Sequence, residues 1–318
     1  MNPTKMDEVI EVSNFVYPFR FDDLDLFLNS DMTKDFDLSR LKALDPIFAD
    51  SPPLLCVAAY FNAVKIGDYL LQNGNDIEQT DALNRSVVHF AAAGGSLNFM
   101  QLIRSNNGDF HARDKSRKTY VHYAAEYNQV EVLNFAYVSG EHLDSPSIQG
   151  CPIHLACERG NLRAIEFLAQ TEKCDLNRNI KQSTNQSVRN CTPVFNALNS
   201  NCYESLQLLQ KHKMNLDQIM AGDWTALYYV IRAGNEHVVD MLLDFGANPA
   251  PLNANRNGWL PIHVAAQIQN SRIITSLFKN GSPIHILTKS GYSPFAFALR
   301  PSITDQQNPS STPYAAAK

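Results

Sequence analysis

An all-α array of stacked helix-turn-helix units is the fold class this sequence predicts, on three observations. A seven-residue segment recurs at nearly constant spacing, an apolar stripe of helical period follows it, and most of the stripes end on a glycine. With 318 residues, 44% hydrophobic and 19% charged, the chain has ample material for such an array and a composition that excludes wholesale disorder or a fibrous architecture.

The segments Ser86 to Ala92, Thr119 to Ala125, Cys151 to Cys157 and Leu260 to Ala266 share one pattern, and weaker copies open at Pro53, Thr192, Thr225 and Ser293. The eight openings are separated by 33, 33, 32, 41, 33, 35 and 33 residues, so only one step departs far from 33. A Ser or Thr at the opening accepts a backbone N–H, and a Pro after it has φ preset for the first turn, so a helix starts there. The small pairs Ala91-Ala92 and Ala265-Ala266 let neighbouring helices approach closely. A second helix follows, with apolar positions such as Val64, Ile66, Leu70 and Leu71, or Leu162, Ile165, Phe167 and Leu168, or Val238, Val239, Leu242 and Leu243. Gly74, Gly108, Gly140, Gly246 and Gly281 are expected to end it in the left-handed conformation.

This pattern resembles the ankyrin repeat, whose period is 33 and whose signature is T-P-L-H-x-A. The resemblance covers about residues 51 to 300, with the signature histidine present as His89, His122, His154 and His263. It implies an ankyrin-repeat solenoid of helix-turn-helix units joined by β-hairpin fingers, about seven full repeats plus a truncated eighth. It also implies a recognition scaffold that uses its fingers and inner helices as an extended concave surface, a function argued from the family because a fold alone does not fix one.

A repeat array needs sealed ends. Residues 1–50, with apolar patches at Phe21 to Leu28 and Leu38 to Phe48, are expected to form an acidic helical cap, 51–300 the array, and 301–318 a disordered tail rich in Ser, Thr, Pro and Gln. Residues 1–50 carry eleven acids against five bases, whereas the whole chain is at -5, so the body is close to neutral. A near-neutral body lacks the field that attracts phosphate backbones, and nucleic-acid binding is not expected. Six cysteines are too few for a disulfide framework. No apolar leader opens the sequence, and its most apolar window, Leu54 to Leu71, is broken by Asn62, Lys65 and Asp68. The expectation is a cytoplasmic monomer with no membrane insertion, the nucleus being the other compartment open to it.

Three departures from the repeat are candidates for function. The long step places about eight extra polar residues near 181–188, expected as a loop: a tolerated insertion or a partner-contacting loop. The residue before each opening forms a row, Pro52, Arg85, Lys118, Gly150, Cys191, Trp224, Trp259 and Tyr292, basic early and aromatic late. Both tryptophans of the chain fall in it, and aromatics with Arg are enriched at binding hot spots; the competing reading is local packing of the rings on neighbouring fingers. Arg113, Lys115, Arg117 and Lys118 form a basic cluster, either a solvated finger or a steering patch for an acidic partner.

No chemistry emerges. The four histidines occupy one position of the repeat and sit one repeat or more apart, so they cannot converge on one substrate, and their expected role is hydrogen bonding at helix starts. Cys151, His154 and Cys157 have a metal-like spacing but lack a paired fourth ligand. Phosphate-binding, dinucleotide and nucleophile-elbow motifs do not occur, and no cofactor is expected. The reading is a non-catalytic scaffold for an intracellular protein partner, with a substrate-recognition adaptor of a larger complex such as a ubiquitin ligase as the alternative. That role needs a recruitment module, for which only residues 1–50 offer room.

Overall fold

The computed structural model describes residues 3–29, 37–184, 187–219, 224–251 and 257–299. The tail expected at 301–318 lies outside the described residues. Ahead of the array stand α1 (Pro3–Phe21), α2 (Leu24–Asn29) and two 3₁₀ turns at Leu38–Ala43 and Pro46–Phe48. Seven helix pairs follow: α3 (Leu54–Tyr60) with α4 (Val64–Gln72), α5 (Val87–Gly94) with α6 (Leu97–Ser105), α7 (Tyr120–Glu126) with α8 (Val130–Val138), and α9 (Pro152–Arg159) with α10 (Leu162–Gln170). A hairpin of β1 (Ile180–Thr184) and β2 (Ser187–Cys191) precedes α11 (Pro193–Asn199) with α12 (Tyr203–Lys211), α13 (Ala226–Arg232) with α14 (Glu236–Asp244), and α15 (Pro261–Gln267) with α16 (Ser271–Lys279). A lone inner helix, α17 (Pro294–Ala298), opens the eighth unit.

Inner helices pack on inner helices and outer on outer, so the core is one continuous ribbon between the two rows. The second residue after each opening (Leu55, Val88, Val121, Ile153, Val194, Leu227, Ile262) is at most 5% exposed in all seven paired units. Each unit also turns twice through the left-handed region. Nine residues after the opening stand Asn62, Gly95, Asn128, Gly160, Asn201, Gly234 and Gln269, and twenty-one after it Gly74, Asn107, Gly140, Glu172, Lys213, Gly246 and Gly281, all with positive φ. These are the sharp corners between inner and outer helix and between outer helix and finger, where Gly and Asn carry the least strain. In the second unit Asn107 takes the helix-ending role expected of Gly108, which is small for another reason: a Cβ there would press on the Ile103 side chain.

The buried histidines act as stitches. Nδ1 accepts the backbone N–H of the opening residue: His89 from Ser86 at 3.0 Å, His122 from Thr119 at 3.0 Å, His154 from Cys151 at 3.3 Å, His263 from Leu260 at 3.0 Å. In three of the four, Nε2 then donates to a carbonyl of the next finger, Lys118 for His89, Arg178 and Cys191 for His154, and Ile286 for His263, whereas Nε2 of His122 is buried without a hydrogen-bond partner. Both bonds require the neutral ring with its proton on Nε2. Fingers are also joined tip to tip, Lys115 N–H to Leu83 O, Ile148 N–H to Ser116 O and Lys289 N–H to Asn257 O. Where the histidine is missing the stitch is lost. In the fifth unit Thr192 Oγ1 accepts from Phe195 N–H at 3.2 Å instead, and in the sixth the hydroxyl of Tyr228 is buried without a hydrogen-bond partner.

The front segment is itself a degenerate unit. Counting from Ser13, Phe15, Val16 and Phe19 are buried at the positions that internal units bury, and Asp22, with φ 51°, has the left-handed conformation found nine residues after the openings of the seven paired units. Its carboxylate accepts from Lys65 N–H at 2.9 Å and Ile66 N–H at 3.1 Å, as Asn62 Oδ1 accepts from Phe99 N–H and Asn128 Oδ1 from Ala164 N–H. The chain then crosses the inner helices: Asp45 accepts from the hydroxyls of Tyr60 and Tyr127, both at 3.1 Å, Phe48 packs on Tyr60, Phe61 and Phe90, and Asp50 reaches Arg85 at 3.1 Å. Residues 45–50 thus lie along the inner face of the first three units.

Two expectations follow. Among the seven paired units Gln269 is the one residue at its corner position that is neither Gly nor Asn, and Gln269→Gly is expected to raise stability by about 0.5–1 kcal/mol in urea unfolding; an unchanged or lower midpoint would contradict the strain argument. Burial lowers the pKa of all four histidines from 6.5, that of His122 to about 3 and that of His154 to about 4. The unfolded chain therefore takes up protons that the folded one excludes, so their contribution is full above 6.5 and is lost as pH falls from 6.5 toward 4. Each fully buried histidine should cost about 1.4 kcal/mol per pH unit in that window. A urea midpoint that stays level between about pH 7 and about pH 5.5 would refute this.

Candidate partner-binding surface

The row before the openings runs along the inner helices, and its two halves differ in kind. Arg85 is only 5% exposed: its Nε donates to Asp81 at 2.6 Å, a second nitrogen reaches Asp50, and the guanidinium lies 5.2 Å from the centre of the Phe90 ring. Lys118 is 6% exposed, with Nζ 2.7 Å from Glu126, a carboxylate that Arg159 also holds at 2.7 Å, and 5.4 Å from the Tyr123 ring. These charges are neutralised internally, so the sequence-based expectation that Arg85 and Lys118 are surface contacts is corrected: they tie the fingers to the inner helices. The signal was present in the sequence, an aspartate four residues ahead of each, since Asp81 and Asp114 accept the backbone N–H of Arg85 and Lys118.

The aromatic half stays at the surface while packing locally. Trp224 is half-buried, edge-on to Tyr228 at 4.7 Å, Trp259 is half-buried 4.5 Å from Phe297, and Tyr292, 39% exposed, packs on the same Phe297 at 5.9 Å. Each ring is thus held rigid by a neighbour with one side left open. Rigid, half-open aromatic rings are the side-chain type that anchors protein partners at low entropic cost.

Arg113, Lys115 and Arg117 are exposed at the tip of the finger entering the third unit. Arg117 adopts φ 64°, and the Arg113 guanidinium donates to Arg117 O at 3.0 Å, closing the tip on itself and fanning three cations outward. The basic tip and the aromatic rings belong to different units, the third against the sixth to eighth. The 41-residue step carries the antiparallel hairpin of β1 and β2, pairing Ile180 with Cys191 through Thr184 with Ser187, rather than the expected loop. Polar strands are harder to read than apolar ones because their alternation has no hydrophobic contrast.

Cys151, His154 and Cys157 are buried at one helix start. Burial pushes the Cys151 thiol up to about 12 and that of Cys157 higher still, which keeps both protonated near neutral pH. Among the described residues no three His, Cys, Asp or Glu side chains are placed to hold a metal ion, and no helix is long and apolar enough to cross a membrane. A depression lined by Phe110, His111, Tyr120 and Glu141 holds about 100 Å³, below the ~300–1,000 Å³ usual for small-molecule sites, and one of about 420 Å³ between Phe21, Asp25 and Lys65 is an open saddle.

A family model described as ankyrin repeats (3 copies) matches residues 55–147 and 206–290, together more than half of the chain. The chain belongs to the ankyrin-repeat family. The all-α repeat architecture expected from the sequence is therefore the architecture it has. Among curated proteins, this ankyrin-repeat protein is 24% identical over 216 residues to the transient receptor potential cation channel subfamily A member 1 of Homo sapiens, covering 66% of the chain and 18% of the relative. It is 22% identical over 243 residues to inversin of Homo sapiens, 65% of the chain and 19% of the relative. It is 27% identical over 202 residues to NF-kappa-B inhibitor alpha of Gallus gallus, 62% of the chain and 52% of the relative. The chain thus matches about a fifth to a half of the length of these relatives.

Removing Arg85 leaves the carboxylate of Asp81 buried without its partner. Arg85→Ala is expected to cost about 3 kcal/mol in equilibrium unfolding, whereas Lys115→Ala at the exposed tip should change stability by less than about 0.5 kcal/mol. Equal effects would show that the Arg85 ion pair is not structural.

Proposed function

We propose that this ankyrin-repeat protein is a non-catalytic scaffold that binds an intracellular protein through its fingers and inner face. Residues 1–50 act as its front seal and 51–300 as its binding array. The observation that carries the reading is the continuous flank: seven helix pairs stacked side by side, offering a long surface in place of an enclosed cleft. Repeat arrays present such extended surfaces to macromolecules. One relative, NF-kappa-B inhibitor alpha, is by its name an inhibitor of NF-kappa-B, which agrees with a binding role.

The inner face of the first three units is occupied by residues 45–50, which leaves the later units for a partner. There the rigid rings of Trp224, Trp259 and Tyr292 are the candidate anchors, and the cations Arg113, Lys115 and Arg117 steer an acidic stretch of the same partner. Affinity capture from a matching cell lysate, comparing the unmodified chain with a Trp224→Ala, Trp259→Ala, Tyr292→Ala variant of unchanged helical circular dichroism, tests the aromatic anchors. At least one captured protein is expected to be lost with the rings, and identical capture from both chains would remove them from the interface.

A further inference from the structure

The finger tips of the second, third and fourth units form one tied platform. Lys115 N–H donates to Leu83 O and Ile148 N–H to Ser116 O, both at 2.9 Å, the Asn84 amide donates to Arg113 O at 3.0 Å, and the Arg113 guanidinium reaches Pro146 O at 3.4 Å. Side chains on the platform share one base, so their spacing is set before anything binds. Three of them are the exposed cations Arg113, Lys115 and Arg117. The aspartates closest in sequence to the tips are engaged: Asp81 holds Arg85, Asp114 accepts from Lys118 N–H and the Tyr123 hydroxyl, and Asp144 holds Arg178.

Two aliphatic side chains flank these cations. Three residues ahead of the opening stand Leu83, Ser116 and Ile148, where later units carry Asn257 and Ser290, the polar types that turns favour. Leu83 is 40% and Ile148 53% exposed, one on each side of the basic tip. Each is one backbone hydrogen bond from the pair Lys115 and Ser116 between them, so their main chains stand about 10–14 Å apart. An extended chain covers that distance in about four residues, and its side chains at i, i+2 and i+4 point to one face.

We propose, on the scaffold reading above, that this platform docks an extended acidic segment of the protein partner, with aliphatic side chains at i and i+4 seated on Leu83 and Ile148 and a carboxylate at i+2 against Lys115 and Arg117. Charge complementarity selects an acidic occupant, and the aliphatic flanks give it a register that a uniform cationic patch would not. The cations thus touch the bound segment as well as steering its approach. A single-stranded nucleic acid would meet the same cations, but its bases are held by stacking on aromatic rings, and the flanks here are aliphatic.

Fluorescence anisotropy of a labelled peptide, Gly-Glu-Leu-Ser-Glu-Ser-Leu-Glu-Gly, titrated with the full chain at low salt tests this. Leu83→Ser with Ile148→Ser is expected to weaken binding about tenfold, and Lys115→Glu with Arg117→Glu more than about thirtyfold. All four side chains are exposed, and circular dichroism verifies that the variants stay folded. A peptide of the same composition with its two leucines adjacent should bind about tenfold more weakly, because only one of them can then reach a flank. The Trp224→Ala, Trp259→Ala, Tyr292→Ala variant should bind the first peptide as the unmodified chain does. Equal binding of the two peptides overturns the proposal, as does binding untouched by the Leu83 and Ile148 substitutions. An oligothymidylate of equal charge that displaces the peptide as well as unlabelled peptide does overturns it too. The scaffold reading fails separately, on an unmodified chain that captures no protein from the lysate.

Discussion

A pair of short helices cannot bury both of its faces by itself, and every other feature of this molecule follows from that constraint. Each unit hands one apolar face to the unit before it and the other to the unit after it, so stability is a sum of nearest-neighbour junctions rather than the property of one central core. The side chains at the junctions must be small or well shaped, which is why the inner helices carry Ala91-Ala92, Ala124-Ala125 and Ala265-Ala266 with no exposed area to speak of. The two left-handed corners exist to fold each unit back sharply enough for its neighbour to nest.

Polar groups serve the same end from the finger side. The histidines, the tip-to-tip backbone bonds and the buried pairs of Arg85 with Asp81 and Lys118 with Glu126 hold each finger against the next, so the flank offered to a partner is pre-organised. Pre-organisation lowers the ordering cost of association, and the half-open aromatic rings of the later units inherit it through their contacts with Tyr228 and Phe297.

The repeat was legible because its period and its opening segment are encoded locally, residue by residue. What escaped was encoded by distance. Arg85 and Lys118 looked like surface cations because Asp50 and Glu126 approach only after folding, although Asp81 and Asp114, four residues ahead, were a readable hint. The front unit escaped because it keeps the buried positions Phe15, Val16 and Phe19 and the corner at Asp22 while lacking the signature segment. The hairpin at 180–191 escaped because its residues carry no hydrophobic alternation. Asn107 took the corner expected of Gly108, a shift of one residue of the size that separates a helix end from the residue after it.

The carboxylate of Asp45, shared by Tyr60 and Tyr127, bridges the first and third units across the second. A brace of that span resists bending: flexing the stack there would have to stretch two hydrogen bonds at once.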